Sequence, residues 1–261
     1  MSRHRFFVAP EVLSTTPARL GQELAHRIGR VLRLSTGDHI FLLDGSGQEV
    51  EAEITAIAHD EVLVCALASR QPHTEPWTQV SLYQAALAGE RFEWVLEKGT
   101  ELGVSRFVPL ICARNTAKLP VGGREWHQKL VRWQAIVRSA AEQSHRARLP
   151  RLEAPMPLAS AVAAMAKPAI MAWEGSSSPL TPILTALGAI RPPGLSLAVG
   201  PEGGFTDEEV ALAEAAGVRL ASLGPRILRA ETAGIALATL ALYQLGELQA
   251  RYHAPAEDYQ G

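Results

Sequence analysis

LSLAVGPEGGFTDEEVALAEAAGVRLASLG, residues 195–224, contains a strand, a glycine-rich turn, a helix and a second strand in unbroken succession. The apolar run LSLAVG closes on Gly-Pro-Glu-Gly-Gly. Thr206, followed three residues later by Glu209, forms a capping box that starts a helix over TDEEVALAEAAG. RLASLG then reads as the next strand. Strand–helix alternation of this kind calls for a mostly parallel sheet. The same rhythm runs upstream. VSLYQAAL is a strand, GERFEWVLEKGTELG a helix and VSRFVPLI a strand, and a long helix covers about 124–146. PLASAVAAMA, PAIMAWE and PLTPILTALG continue as helix, strand and helix, and an apolar helix from about 230 to 249 closes the series. The fold class is therefore α/β, with a mostly parallel sheet covered by helices on both faces.

The first 68 residues have a different texture. RFFVA (5–9), DHIFLLD (38–44), QEVEAEITAI (48–57) and DEVLVCALA (60–68) are short strands, with one helix over LGQELAHRIGRVLR (20–33). Gly45-Ser46-Gly47 supplies hairpin chemistry, and the alternation VEAEITAI puts one face in a core and one in water. Closely spaced short strands with one helix suggest a small barrel. The polar, proline-containing SRQPHTEPWTQ (69–79) reads as the linker. The division expected is 1–70 for the barrel, 71–79 for the linker, 80–250 for the α/β domain and 251–261 for a flexible tail.

Composition narrows the function classes. Apolar residues make up 47% and charged residues 20% of the 261, a globular balance. Cys65 and Cys112 lie far apart in apolar stretches, which excludes a disulfide framework and a cysteine zinc site and fits a reducing compartment. The eight histidines lack ligand spacing, so no metal is expected. No GxSxG elbow or Cys/His pairing argues for a covalent nucleophile. The opening MSRHRFFVAPEVL has no apolar h-region, and AGIALATLALYQLG (233–246) is too short and Ala-rich to span a bilayer. A cytoplasmic protein with no membrane partner is the expectation. Net charge is −2, but residues 1–33 hold six arginines against Glu11 and Glu23, and residues 114–151 hold nine Lys/Arg against Glu125 and Glu142. Such stretches are either solvated helix surface or the footprint of a nucleic-acid binder.

Four segments carry candidate chemistry. GPEGG lies outside the carboxyl end of a strand, where open α/β sheets bind ligands. It lacks the Lys-Ser/Thr of a phosphate loop, and Glu202 would repel a pyrophosphate. A neutral or cationic ligand fits better, such as an adenosine carrying a sulfonium or amino group, unless the turn is purely structural. In SLGPRILRAETAGIALATLAL (222–242), Arg226 and Arg229 stand beside Glu231 and Thr232. These polar groups either cap the following helix and pair with one another or converge on a site, with Ile227 and Leu228 lining an adenine pocket. In the long helix, Trp126, Leu130, Trp133 and Val137 form a stripe that should pack on the sheet. Arg138–Glu142 and Glu142–Arg146 are i, i+4 pairs, and with Arg148 and Arg151 that face could equally grip RNA phosphates. In EKGTELG (97–103), Lys98, Thr100 and Glu101 crowd a helix end that Gly103 terminates.

RHRFFV, HRIGRVLRLSTGDHIFLLDGSG (26–47), EKGTELGVSRFVPL (97–110), AAEQSHR (140–146), VGPEGGFTDEEV (199–210) and LGPRILRAETA (223–233) occur in that order and cover nearly the whole chain. Together they resemble the bacterial 16S rRNA uridine-N3 methyltransferases of the SPOUT superfamily. The resemblance implies an N-terminal PUA-like barrel that binds RNA and a C-terminal α/β domain with a trefoil knot. It implies a homodimer that uses S-adenosylmethionine to methylate N3 of one uridine (position 1498) in the small-subunit rRNA. Carried across, the cofactor residues are Trp173, Glu174, Leu197, Val199, Gly200, Pro201, Glu202, Gly203, Leu223, Gly224, Arg226, Ile227 and Leu228, with Thr232 behind them. His145 stands where a Cys-Gly or similar small residue is expected.

The chemistry agrees with these residues. Losing the N3 proton makes uracil anionic. Arg226 or Arg229 would then stabilise charge on O2 or O4, and Glu231 or Glu142 would accept the proton, directly or through water. The basic stretches nominate Arg3, Arg5, Arg27, Arg30, Arg33, Arg132, Arg138 and Arg146 for RNA. Two other readings stay open: a SPOUT methyltransferase acting on another RNA such as tRNA, and a non-catalytic RNA-binding ribosome-assembly factor.

Overall fold

The computed structural model describes residues 4–117, 119 and 122–249. The expected tail, 251–261, and Arg3 lie outside them. The chain builds two sheets. The first contains β1 (Arg5–Phe7), β2 (Ala18–Leu20), β3 (His39–Leu43), β4 (Glu49–Ile57) and β5 (Val62–Arg70). Its order is β1-β3-β4-β5-β2, parallel between β1 and β3 and antiparallel elsewhere. It curls around a core that includes Phe6, Leu20, Ile28, Ile40, Ile54 and Val64.

Two expectations change here. Leu20 does not open a helix but ends β2, pairing with Val62, because Ala18 and Leu20 point into the core on either side of exposed Arg19. The helix is then α1 (Gln22–His26), which widens into a π turn over Arg27–Val31. The alternation along β4 holds at Ala52 and Ile54 but is broken by register shifts at Glu51/Ala52 and Ile54/Ala56. Such irregularities bend a strand and increase its twist.

The second sheet contains β6 (Gln79–Ala85), β7 (Arg106–Ile111), β8 (Arg151–Leu152), β9 (Met156–Pro157), β10 (Ala169–Ala172), β11 (Gly194–Val199) and β12 (Arg219–Ala221). Its order is β12-β10-β11-β6-β7-β8, with β9 also on β7, and every pairing is parallel. Among the described residues six helices accompany it: α2 (Arg91–Leu102), α3 (Gly123–Gln143), α4 (Leu158–Ala164), α5 (Leu180–Ile190), α6 (Asp207–Ala215) and α7 (Ala230–Gln244). Leu82, Leu195, Leu197 and Val199 face one core with α2, α5 and α7, whereas Tyr83 and Ala198 face another with α4 and α6. Side chains of a strand alternate between faces, and both faces here are dry. That explains the uninterrupted apolar strand sequences.

The stripe on α3 packs largely on α2. Trp133 stacks on Phe92 with ring centroids 4.4 Å apart, and Trp126 meets Trp133 edge-on at 5.8 Å. The helix stops at Gln143, three residues earlier than its charge pattern suggests, and His145 follows at φ 61°.

The end of α3 joins the two halves. Glu142 is buried, its Oε1 accepting from the Phe7 amide at 3.1 Å and its Oε2 lying 2.7 Å from Arg27 Nη1. Arg146, 3% exposed, donates to the carbonyls of Thr100 and Val104 at 3.1 and 2.7 Å and to Glu75 at 2.7 Å. Glu75 also accepts from the amides of Ala147 and Arg148, so the expected linker is held at its centre. The i, i+4 pairs proposed within α3 therefore do not form. Phe7, Leu43, Ala141 and Ala147 close a small core at this joint. No helix among the described residues is long and apolar enough to cross a membrane.

Candidate cofactor pocket and surrounding basic residues

A cavity of about 670 Å³ opens at the carboxyl ends of β10, β11 and β12. Three loops wall it, and each begins where an apolar strand runs out. After β10 come Trp173 and Glu174. After β11, the GPEGG turn leads to the capping box of α6, where the Glu209 amide donates to Thr206 Oγ1 at 3.2 Å and the Thr206 amide donates to Glu209 Oε2 at 2.9 Å. After β12, Ser222 Oγ accepts from the Gly224 amide at 3.2 Å, Gly224 takes φ 111°, and the chain swings through Pro225 to Arg229 before α7 begins.

The structure brings Trp173, Glu174, Val199, Gly200, Pro201, Glu202, Leu223, Gly224, Arg226, Ile227, Leu228 and Arg229 to this cavity. Leu197, Gly203 and Thr232 do not line it. Leu197 is wholly buried in the core, the Gly203 carbonyl is turned to Arg114 Nη1 at 3.3 Å, and Thr232 is exposed. Arg91, Ser222 and Pro225 also line it, as does Gly204 of the glycine turn. Gly204 was visible within the glycine pair: at φ 70° a side chain there would be strained and would collide with the Glu174 carboxylate. Arg91 carries no local signal; only the fold delivers it.

Electrostatically the cavity is mixed. Glu202 does not await a cation, because Arg91 Nη2 lies 2.6 Å from its Oε1. Glu174, also on the rim, makes no ion pair among the described residues. Arg226 and Arg229 are exposed and their side chains have no hydrogen-bond or ion-pair partner among the described residues. Ile227 between them is 83% exposed. The capping explanation for this segment fails. Arg229 occupies the N-cap of α7 without a side-chain cap bond, and Glu231 is buried with Oε2 unpartnered instead of pairing with either arginine. Glu231 follows Ala230 of the cavity wall but does not itself line the cavity, and Glu142 is engaged at the joint.

The arginines nominated for RNA divide by partner. Arg5 sits on buried Glu49 at 2.7 Å, Arg27 on Glu142, Arg132 on Glu93 at 2.6 Å and Arg146 on Glu75. Arg146 is too deeply buried to touch RNA. Arg30, Arg33 and Arg138 are exposed, with no ion pair among the described residues. Lys98 bridges Glu97 and Glu101, whose carboxylates raise its pKa to about 12, so this cluster is a surface network. Burial, helped by the Glu209 charge, pushes the Cys112 thiol up to about 12, which leaves it inert. No group of three metal-ligating side chains occurs among the described residues.

Comparison with known proteins points the same way. Residues 73–242 match the model of an RNA methyltransferase domain, and residues 20–64 that of an RNA methyltransferase PUA domain. The ribosomal RNA small subunit methyltransferase E of Synechocystis is 38% identical over 247 residues, covering 94% of this chain and 78% of that protein. A Legionella pneumophila structure in complex with the bound cofactor SAM superposes with a TM-score of 0.84 at 30% identity, over 93% of this chain and 98% of that one. A Neisseria gonorrhoeae ribosomal RNA small subunit methyltransferase E bound to S-adenosyl methionine gives 0.80 at 28% identity, with the same coverages.

Proposed function

The chain belongs to the RNA methyltransferase family, and from that premise we propose that it methylates N3 of one uridine, position 1498, in 16S rRNA. The observation that carries this reading is the cavity, where a glycine turn faces two unpaired arginines across the ends of three parallel strands. Its volume suits a ligand the size of S-adenosylmethionine, since such sites run from about 300 to 1,000 Å³. The residues fit as well. The backbone comes close at Gly200 and Gly204, Leu223, Ile227 and Leu228 offer apolar surface, and the Glu174 carboxylate has no competing cation.

S-adenosylmethionine supplies an electrophilic methyl group on a sulfonium. Uridine N3 would take up that methyl group, and its proton must leave. Positioning therefore dominates catalysis. Arg229 and Arg226 receive the negative charge that develops on O2 or O4. Of the two candidate bases, Glu231 stands beside the cavity wall, whereas Glu142 already satisfies Arg27 and the Phe7 amide, so we assign the proton to Glu231. Residues 1–70 form the RNA-binding PUA-like domain, with Arg30 and Arg33 at its contact surface, and residues 80–250 form the SPOUT domain with its trefoil knot. The protein acts in the cytoplasm as a homodimer.

Arg229→Ala tests the assignment. Removing one charge-stabilising donor costs about 10²–10³-fold in transfer. Transfer should fall by that factor, while calorimetry should find the dissociation constant for S-adenosylmethionine within about twofold of wild type. Full activity in this variant would remove Arg229 from the mechanism.

A further inference from the structure

A carboxylate in the middle of a turn that offers its backbone to a ligand needs an explanation. Glu202 is bound from two other segments. Arg91 Nη2 lies 2.6 Å from Oε1, the Ala88 amide donates to Oε1 at 3.4 Å, and Thr116 Oγ1 donates to Oε2 at 3.2 Å. Ala88 lies in the loop between β6 and α2, Arg91 opens α2, and Thr116 follows β7. Arg91 is itself fixed, its Nε donating to the Ala88 carbonyl at 3.1 Å. Arg114 adds bonds from Nη1 to the carbonyls of Gly203 and Phe205 at 3.3 and 3.2 Å. The turn is thus held from the start of α2 and from the segment after β7 while it stays on the cavity wall.

We propose that Arg91 and Glu202 are positioning residues, an ion-paired brace that fixes the Gly200–Gly204 turn in its binding geometry before the cofactor arrives. The inference rests on the reading of the cavity as an S-adenosylmethionine site. Both side chains are partly exposed, 39% and 23%, so the pair contributes little to global stability. Its value lies in preorganisation, which shows up in affinity.

Calorimetry with S-adenosylmethionine, alongside thermal melting, tests the brace. Glu202→Gln should raise the dissociation constant about tenfold while leaving Tm nearly unchanged. In steady-state kinetics the larger change should fall on the KM for S-adenosylmethionine and the smaller on kcat, since the brace acts through the turn; a loss confined to kcat would contradict it. Arg91→Met should weaken binding similarly, and the double variant should bind no worse than the weaker single one, the mark of a coupled pair. Thr116→Val should give a smaller shift in the same direction. Wild-type affinity in Glu202→Gln, or strictly additive losses in the double variant, would overturn the brace alone. A wild-type protein that binds no S-adenosylmethionine would overturn the cofactor reading and the brace with it.

Discussion

His145 takes φ 61°, a left-handed conformation that costs an ordinary L-residue roughly 1–2 kcal/mol and glycine almost nothing. His145→Gly should therefore stabilise the protein by about 0.5–1 kcal/mol in urea unfolding, after the greater freedom of the unfolded glycine is subtracted. The imidazole pKa is also lowered, by burial first and then by the Arg5 cation, against a smaller opposing effect of Glu49. The neutral ring is the favoured one, so its contribution is intact above the unfolded value near 6.5 and is lost as pH falls below it. The advantage of His145→Gly should accordingly widen below pH 6.5; a constant difference would contradict this. The same scale shows why site residues were only partly legible. Composition reveals where arginines stand but not which carboxylates meet them. Arg146 meets Glu75, 71 residues away, and Glu142 meets the Phe7 amide, 135 residues away. Glu202 read as a free carboxylate for the same reason, because its partner Arg91 lies on another element.

At the scale of elements, local rules served well where a segment's own residues decide. The Thr206/Glu209 box starts α6 as its spacing dictates, and both reciprocal bonds are made. Glu209 also accepts from the Ala113 amide at 2.7 Å, so this cap holds the glycine turn against the segment after β7. Thr206→Ala should cost about 1 kcal/mol of stability by denaturant unfolding. A loss below a few tenths would mean that Glu209 alone secures the helix start. The strands of the second sheet were legible because burial on both faces leaves them continuously apolar. β2 was not, since three residues next to a helix carry no distinguishing period, and only pairing with β5 makes them a strand. Periodicity marks the stripe on α3 as a buried face but does not say what it faces, which is largely α2.

For the whole molecule, α7 raises the question of assembly. It has no charged residue between Glu231 and Glu247, and its inner face is core, yet Leu240 and Tyr243 are 45% and 65% exposed. A helix apolar all round is normally covered on every side, which a second copy of the chain would supply. On the proposed homodimer, the wild type should sediment as a dimer and Tyr243→Asp as a monomer; a monomeric wild type or a dimeric variant would contradict an interface on this face. The arrangement of two sheets was legible from the change of rhythm near residue 70, whereas the joint made by Glu75, Glu142 and Arg146 depends on long-range contacts that no local pattern encodes. The proposed activity is methyl transfer to one uridine of 16S rRNA. The most direct measurement gives the purified protein isotopically labelled S-adenosylmethionine, offers it small ribosomal subunits lacking the modification or tRNA, and maps the label by nuclease digestion and mass spectrometry. A single 3-methyluridine at position 1498 of 16S rRNA, with none on tRNA, is the predicted result. Label on tRNA, label at another nucleotide, or no transfer at all would contradict it.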